Sequence, residues 1–381
     1  MNFELNEDQR MLQELVREFS QKEIAPRIGL YEEQHQFPRE IMHQLGKIGV
    51  LGMAVPPEFG GSRTDYLTFV LALEELAKAS ATVCVIVSVH GSLFCSSILK
   101  FGSDAQKVKY LPAAARGEII GAFSLTEPGA GSDAMSIKTR AVKSGGEYIL
   151  NGTKAWVTAG NDAEALIIIA KTKLEDGKDK LSAFIVDKDA PGLKVTKIEE
   201  KMGLHSSPTA MISLEDCRVP TENRLGEEGR GAAIALSGLD GSRIGVAAQA
   251  LGLSQQALEL AVGYAQQREA FGKKIAEFQA LQFMMADMAT LIEAGRLLTY
   301  HVADLYDRDR PFTKEAAMAK LFTSEAANKI AYLALQIYGG YGYSKEYPIE
   351  RIYRDARVLS IYEGTSEIQR LVIARHLLKE S

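Results

Sequence analysis

Apolar and polar positions follow three different patterns along the chain. In NEDQRMLQELVREFSQKEI, apolar Met11, Leu12, Leu15, Val16 and Phe19 recur at helical spacing. Asn6 is placed to cap this helix with Gln9 three positions on, and Pro26 to close it. Ser103 and Gln106 form a second such box, opening a helix ahead of Pro112. The longest apolar run, ATVCVIVSVHGSLFCSSIL (residues 81–99), is interrupted by serines, His90 and Gly91. It predicts a buried core helix, which allows a break, in place of a membrane span.

From residue 119 to about 225 the pattern changes. EYILNGTKAWVTAG, ALIIIAKTKL and LSAFIVDKD are short runs rich in β-branched and aromatic residues, punctuated by turn signals such as EDGKDK. No helical period intervenes, which disfavours a parallel dinucleotide-binding sheet. From about 231 onward three long helical patterns follow, broken at FGK and RPF; such helices with short connections suggest an antiparallel bundle. The expected fold class is therefore α+β multidomain: an N-terminal α-helical domain (1–118), a middle β-domain (119–228) and a C-terminal antiparallel four-helix bundle (229–381).

Composition adds limits. A formal net charge of −5 with no basic run argues against nucleic acid as a partner. Cys84, Cys95 and Cys217 form no CxxC pair, so a reducing compartment is expected, without disulfides and without a cysteine metal site. The six histidines have no ligand spacing, and no metal is expected. MNFELNEDQR has neither a basic nor an apolar leader region, so the expected location is cytoplasmic, with a removed mitochondrial transit peptide left open and no membrane insertion.

Chemistry must come from elsewhere. GxGxxG, Walker A, HExxH and GxSxG patterns are all missing, so redox or carbanion work would rest on a cofactor. FSLTEPGAGSD (residues 123–133) is a glycine-rich loop with hydroxyls at Thr126 and Ser132; it is either a ligand-binding loop or a domain-joining turn. Trp156, the only tryptophan, and Thr158 are two apart on a predicted strand, either as core or as a wall for a flat heteroaromatic group. Arg268, Phe271 and Gln279 surround a predicted helix–helix turn, where an arginine is either solvated or holds a pyrophosphate. QIYGGYG combines ordinary helix capping with room for close backbone approach. In IYEGTSEIQ, Ser366 and Gln369 fit a capping box, which starts the last helix near Glu367 and leaves Glu363 in the preceding loop. That glutamate is either a solvated loop residue or a base.

Together these motifs resemble the acyl-CoA dehydrogenase family over essentially the whole chain. LTEPGAGSD and QIYGGYGYSKEYPIERIYRD are similar to the family's two signatures, and IYEGTSEIQ to the segment that carries its catalytic base. The resemblance implies the family's three-domain fold, FAD as cofactor and an acyl-CoA substrate. It implies flavin or acyl-CoA contacts from Phe123, Leu125, Thr126, Gly131 and Ser132, with Trp156 and Thr158 beside the isoalloxazine ring. Arg268, Phe271 and Gln279, with Gln336, Gly339 and Gly340, would reach the FAD of a neighbouring subunit. Thr365 and Glu367 would contact the adenine-nucleotide part of FAD. Asp240 and Arg243 would hold the CoA portion, with Gly364 and Arg375 also at substrate positions. A flavin site shared between subunits implies a homo-oligomer, expected as a tetramer, and electrons would pass to an electron-transfer flavoprotein.

The implied reaction is α,β-desaturation of a thioester to a trans-2-enoyl-CoA. Glu363 takes the α-proton and the β-hydride goes to flavin N5. Some family branches carry the base just before the arginine matching Arg243; Gly241 and Ser242 stand there, neither acidic. RIGVAAQALG and FTKEAAMAK resemble the short-chain, butyryl-CoA branch, with the short/branched-chain branch of amino-acid catabolism as the alternative. A non-catalytic flavin-bound scaffold is a more distant one, set against by the intact Glu363.

Overall fold

The computed structural model describes residues 4–380. Helix α1 (Glu7–Phe19) starts where its cap predicts: the Gln9 N–H donates to the Asn6 side chain at 2.8 Å, and the Asn6 N–H to the Gln9 side chain at 3.0 Å. Pro26 does not close the segment. The chain passes through a π-helical stretch, Ser20–Ile24, into α2 (Ala25–Gln34), and Pro26 sits in the first turn of that helix. A first-turn residue has no intrahelical N–H bond to lose, so proline is tolerated there. After α3 (Arg39–Lys47) and α4 (Tyr66–Ala79) comes the apolar run, as α5 (Ala81–Ser88) and α6 (Ser96–Phe101) joined by a π-helical break, Val89–Cys95. Ala81–Phe101 is long and apolar enough to cross a membrane, yet nearly all of it is buried inside the protein. It is a core helix. The Ser103–Gln106 box opens α7 (Asp104–Ala115), which runs through Pro112 instead of ending before it.

The break in the core helix orients His90. Its ring is buried, with Nδ1 accepting from the Gly121 N–H at 3.1 Å and Nε2 facing the Ala114 carbonyl at 3.2 Å. Only the neutral Nε2–H form satisfies both contacts, and burial pushes the His90 pKa down to about 4. This uncharged ring ties the helical domain to the first strand of the sheet.

That sheet comprises β1 (Gly121–Ser124), β2 (Arg140–Ser144), β3 (Glu147–Thr158), β4 (Ala165–Lys173), β5 (Asp179–Asp187), β6 (Leu193–Ile198), β7 (Thr209–Pro220) and β8 (Arg224–Leu225). The order is β6-β7-β3-β2-β4-β5-β8, with β1 beside β4. Pairing is antiparallel except β1 and β2 with β4. Between Lys154 and Val157 the register of β3 shifts against β7, and Trp156 takes a left-handed φ of 60°. This bulge holds the indole outward, 59% exposed.

The C-terminal part is built on α8 (Gly231–Gln267), α9 (Gln279–Asp307), α10 (Thr313–Tyr338) and α12 (Ser366–Glu380), with the short α11 (Ile349–Ala356) before the last. The FGK break is a two-stranded hairpin, β9 (Glu269–Ala270) and β10 (Lys273–Lys274), turning on Phe271 and Gly272, both at left-handed φ. Helix α8 packs on α9 and α10 and also on α4 of the N-terminal part. Glycines seven apart let α8 lie close to α5 and to α4. A Cβ on Gly245 would lie 2.2 Å from the Ser88 hydroxyl oxygen, and one on Gly252 2.1 Å from the Glu74 carbonyl.

Gly252→Ala is the test of this close packing. Backbone cannot yield as a side chain does, so the substitution is expected to cost about 2–3 kcal/mol. Chemical denaturation should show a lower midpoint, with the largest loss of protection from hydrogen exchange in α4 and α8.

Candidate active site

Glu363 sits in a loop whose backbone is unusual. It has a left-handed φ of 52°, and Gly364 follows at 89°. Three side chains fix this conformation. Gln369, from the first turn of α12, donates to the carbonyls of Glu363 (3.2 Å) and Gly364 (2.9 Å). Lys320 of α10 donates to the same Gly364 carbonyl at 2.7 Å. The Tyr362 hydroxyl hydrogen-bonds the Gln249 side chain of α8, which in turn donates to the Ala81 carbonyl at 2.7 Å.

The capping box expected at Ser366 is not formed. Thr365 caps α12 instead, its hydroxyl accepting from the Ile368 N–H at 3.3 Å and its carbonyl from the Gln369 N–H at 2.9 Å. The Ser366 hydroxyl, although buried, has no partner. The helix starts one residue earlier because Gln369 turns away from its own cap to hold the Glu363 loop.

The Glu363 carboxylate is half-buried and accepts from the Ser242 hydroxyl at 2.7 Å. Burial raises its pKa above the ordinary glutamate range; the Ser242 hydroxyl and the charges of Lys320 and Arg243 oppose this without cancelling it. A carboxylate in that environment is a stronger base than one in water. The Glu363 N–H takes no hydrogen-bond partner among the described residues.

Ser242 lies on α8 beside Arg243, which is 6% exposed and paired with Asp240 at 2.6 Å. Asp240 also accepts from the Thr313 hydroxyl at 2.8 Å, while the buried Arg243 Nε has no partner. Gly241 lines a cleft of about 450 Å³ together with Tyr66, Ser92 and Ser96. The Tyr66 hydroxyl donates to the Gly241 carbonyl at 2.9 Å.

The glycine-rich loop leaves β1 and is organised by a buried ion pair. Glu127 accepts from the backbone N–H groups of Lys138 and Thr139 and from Lys154, all within 2.9 Å. The fully buried Lys154 also donates to the Leu125 carbonyl at 2.9 Å. Burial pushes the Lys154 pKa down to about 8 despite its partner. Phe123 is half-buried on β1, Leu125 is buried and Thr126 half-buried, while Gly131 and Ser132 are exposed. A Cβ on Gly129 or Gly131 would meet nothing within 4 Å. Trp156 and the half-buried Thr158 follow Lys154 on β3.

The remaining predicted residues lie elsewhere. Gln336, Gly339 and Gly340 end α10, next to Arg268, whose guanidinium sits over the Tyr341 ring at 5.3 Å. Gly339, Gly340 and Arg268 line a cleft of about 470 Å³ with Ile337 and Tyr338; Gln336 is not among its lining residues. Phe271, 96% exposed, tips the hairpin, and Gln279 opens α9 on the surface. Lys320 and Gln336 are sixteen residues apart on one helix, about 24 Å by helical rise. This second group is thus remote from Glu363 within one chain. Arg375 is exposed about 14 Å along α12 from its start, also outside the Glu363 cluster.

Sequence reasoning missed Lys320, Gln249 and the Glu127–Lys154 pair, and it weighed Ser242 only as a non-acid. Lys320 had a signal: it falls on the stripe Ala316, Ala317, Thr323, Ser324 and Ala327, buried at helical spacing.

Comparison with known proteins agrees with this geometry. Family models described as acyl-CoA dehydrogenase N-terminal, middle and C-terminal domains match residues 6–118, 122–217 and 229–378. The chain belongs to the acyl-CoA dehydrogenase family, and its chemistry is FAD-dependent dehydrogenation of an acyl-CoA. The mitochondrial short-chain specific acyl-CoA dehydrogenase of Rattus norvegicus is 48% identical over 376 residues, 99% of this chain and 91% of the relative. The butyryl-CoA dehydrogenase of Megasphaera elsdenii superposes with a TM-score of 0.96 at 42% identity, covering 99% of this chain and 100% of that one. A chain of the structure described as the electron transferring flavoprotein of Acidaminococcus fermentans gives 0.97 at 47% identity, with both chains fully covered.

Truncating Glu127 to alanine would leave the Lys154 ammonium buried and unpaired, at an expected cost of about 3–5 kcal/mol. Flavin content per subunit should fall with it, because the loop that Glu127 holds loses its anchor. Absorbance of the purified variant measures this, and full occupancy with an unchanged melting temperature would contradict it.

Proposed function

We propose that the chain desaturates a short-chain acyl-CoA of the butyryl-CoA type to its trans-2-enoyl-CoA, with Glu363 as the base. The observation that carries this reading is the Glu363 loop, with a half-buried carboxylate of raised pKa beside an unpartnered backbone N–H. The carboxylate takes the α-proton. The Glu363 N–H is free to donate to the thioester carbonyl, where charge develops as that proton leaves. Ser242 steadies the carboxylate until substrate arrives. Arg243, with its unpartnered Nε, and Asp240 are suited to the CoA portion; Gly364 is assigned beside the acyl group, at a left-handed φ and with the Gln369 amide 2.6 Å from where a Cβ would stand.

The residues fit FAD. Open space at Gly129, Gly131, Gly339 and Gly340 allows close backbone approach, the Ser124 hydroxyl is buried without a partner, and the exposed Trp156 offers a flat face. When bound, FAD supplies the acceptor for the β-hydride. We assign Phe123, Leu125, Thr126, Gly131, Ser132, Trp156 and Thr158 to the flavin of the same subunit, Ser132 reaching substrate as well. Arg268, Phe271, Gln279, Gln336, Gly339 and Gly340 are assigned to a neighbour's flavin, and Thr365 and Glu367 to the adenine-nucleotide part of FAD. The 24 Å separation along α10 supports that division, and with it a homo-oligomer, proposed as a tetramer. Arg375 is assigned to substrate only as part of that assembly.

Domain boundaries at 118 and 228 are supported by α7 ending at Ala115, β1 starting at Gly121 and α8 starting at Gly231. An electron-transfer flavoprotein as acceptor is supported by the structural likeness to the Acidaminococcus fermentans chain. The three cysteines are free and buried, which suits a reducing aqueous compartment.

Glu363→Gln tests the base. The variant should retain yellow flavin and bind butyryl-CoA while reducing its flavin at least about a thousandfold more slowly. Near-normal bleaching under anaerobic conditions would remove Glu363 from the role. The wild-type rate of bleaching should rise with pH through a group above the free glutamate value, since the protonated carboxyl cannot accept the α-proton. A panel of straight, branched and longer acyl-CoAs then fixes the substrate class.

A further inference from the structure

Lys320 stands out among the buried charges. Its side chain has no exposure, it projects from the middle of α10, and it makes no ion pair among the described residues. Its hydrogen bond goes to a neutral oxygen, the carbonyl of Gly364, at 2.7 Å. A buried ammonium without a paired carboxylate is costly, and an apolar side chain would pack at the same place on the buried stripe of α10 at less cost. The charges facing it come from three elements: Glu363 and Glu367 around the start of α12, Arg243 from α8, and Glu325 from α10 itself. Glu367 is exposed and Glu325 is paired with Arg370. Arg243 is paired with Asp240. Glu363 is left as the one carboxylate in this set that is neither exposed nor in an ion pair among the described residues.

The carbonyl is also informative. Gly364 O accepts from both Lys320 and Gln369, so both lone pairs are used. Rotating the peptide between Gly364 and Thr365 would break both bonds, and the left-handed pair of residues before it is thereby locked.

We propose that Lys320 is a positioning residue for the reaction: from its place on the Gly364 carbonyl, which Gln369 also holds, it supplies the positive charge that keeps the Glu363 carboxylate ionised. This rests on Glu363 being the base. The charge acts in opposite directions on rate. The charge enlarges the ionised fraction of Glu363 at acid pH, yet it weakens each ionised carboxylate as a base. Neutralising the lysine therefore slows the reaction only where Glu363 becomes protonated.

The experiment is the pH profile of anaerobic flavin reduction by butyryl-CoA in the flavin-loaded oligomer. In Lys320→Met the acid limb is expected to move up by roughly one pH unit, an about tenfold loss on that limb, with no loss at alkaline pH. Lys320→Gln, which keeps an N–H donor but no charge, should shift the limb alike, and Lys320→Arg should return it toward the wild type. Should Lys320→Met fail to hold flavin, Lys320→Gln carries the same measurement. The titration is also read without turnover, from the carboxylic-acid infrared band that Glu363→Gln removes. A profile superimposing on the wild type, or a loss equal at every pH, overturns the proposal. If Glu363→Gln itself still bleaches its flavin, the assignment of the base fails, a result separable from either of those.

Discussion

The close approach of α8 to α4 and to the core helix at Ser88 is the constraint from which the site follows. Glycines at 245 and 252 let this 37-residue helix lie against backbone and hydroxyl groups that any larger residue would strike. Because α8 is fixed there, everything it carries is fixed too. Ser242 meets Glu363, Arg243 meets Asp240, and Gln249 links Tyr362 to Ala81. One helix therefore joins the N-terminal helices to the loop that holds the carboxylate. Tight packing transmits position well because closely packed interiors have little room to relax.

Electrostatics then acts on a frame that does not move. Burial favours the protonated form of Glu363, which cannot accept a proton. Positive charge alone would make it a weak base. The site combines the two, with burial the larger influence and Ser242, Lys320 and Arg243 moderating it. A similar opposition recurs at Glu127, where burial is outweighed by backbone N–H groups and Lys154, and the carboxylate falls below its ordinary range. The two buried glutamates differ because Glu127 has backbone donors and a direct ammonium contact, whereas Glu363 has one hydroxyl. That difference separates a loop anchor from the base proposed above.

Much of this was legible in the sequence. Helical spacing and the Asn6 and Ser103 boxes gave real helices, and short β-branched runs gave the sheet. Punctuation was misread where the backbone had a local alternative. Pro26 and Pro112 looked like stops, but proline is accommodated in a first turn or where its carbonyl partner can face solvent. At Ser366 the pattern was right in type and shifted by one residue, because the Gln369 side chain donates to two carbonyls of the Glu363 loop instead of accepting from its own cap's N–H. The position of Glu363 before the helix was readable; what holds it there was not. Lys320, Gln249 and Ser242 are 43, 114 and 121 residues away in sequence, and local spacing carries no information about such contacts.

The hairpin tipped by Phe271 gives the assembly a genetic consequence. On the reading proposed above, a chain damaged at Phe271 spoils a neighbour's flavin pocket while its own Glu363 loop stays intact. A chain damaged at Glu363 does the reverse. Two such defective alleles, co-expressed, would therefore rebuild some whole pockets in mixed oligomers, so a heterozygote carrying both would be fitter than either homozygote.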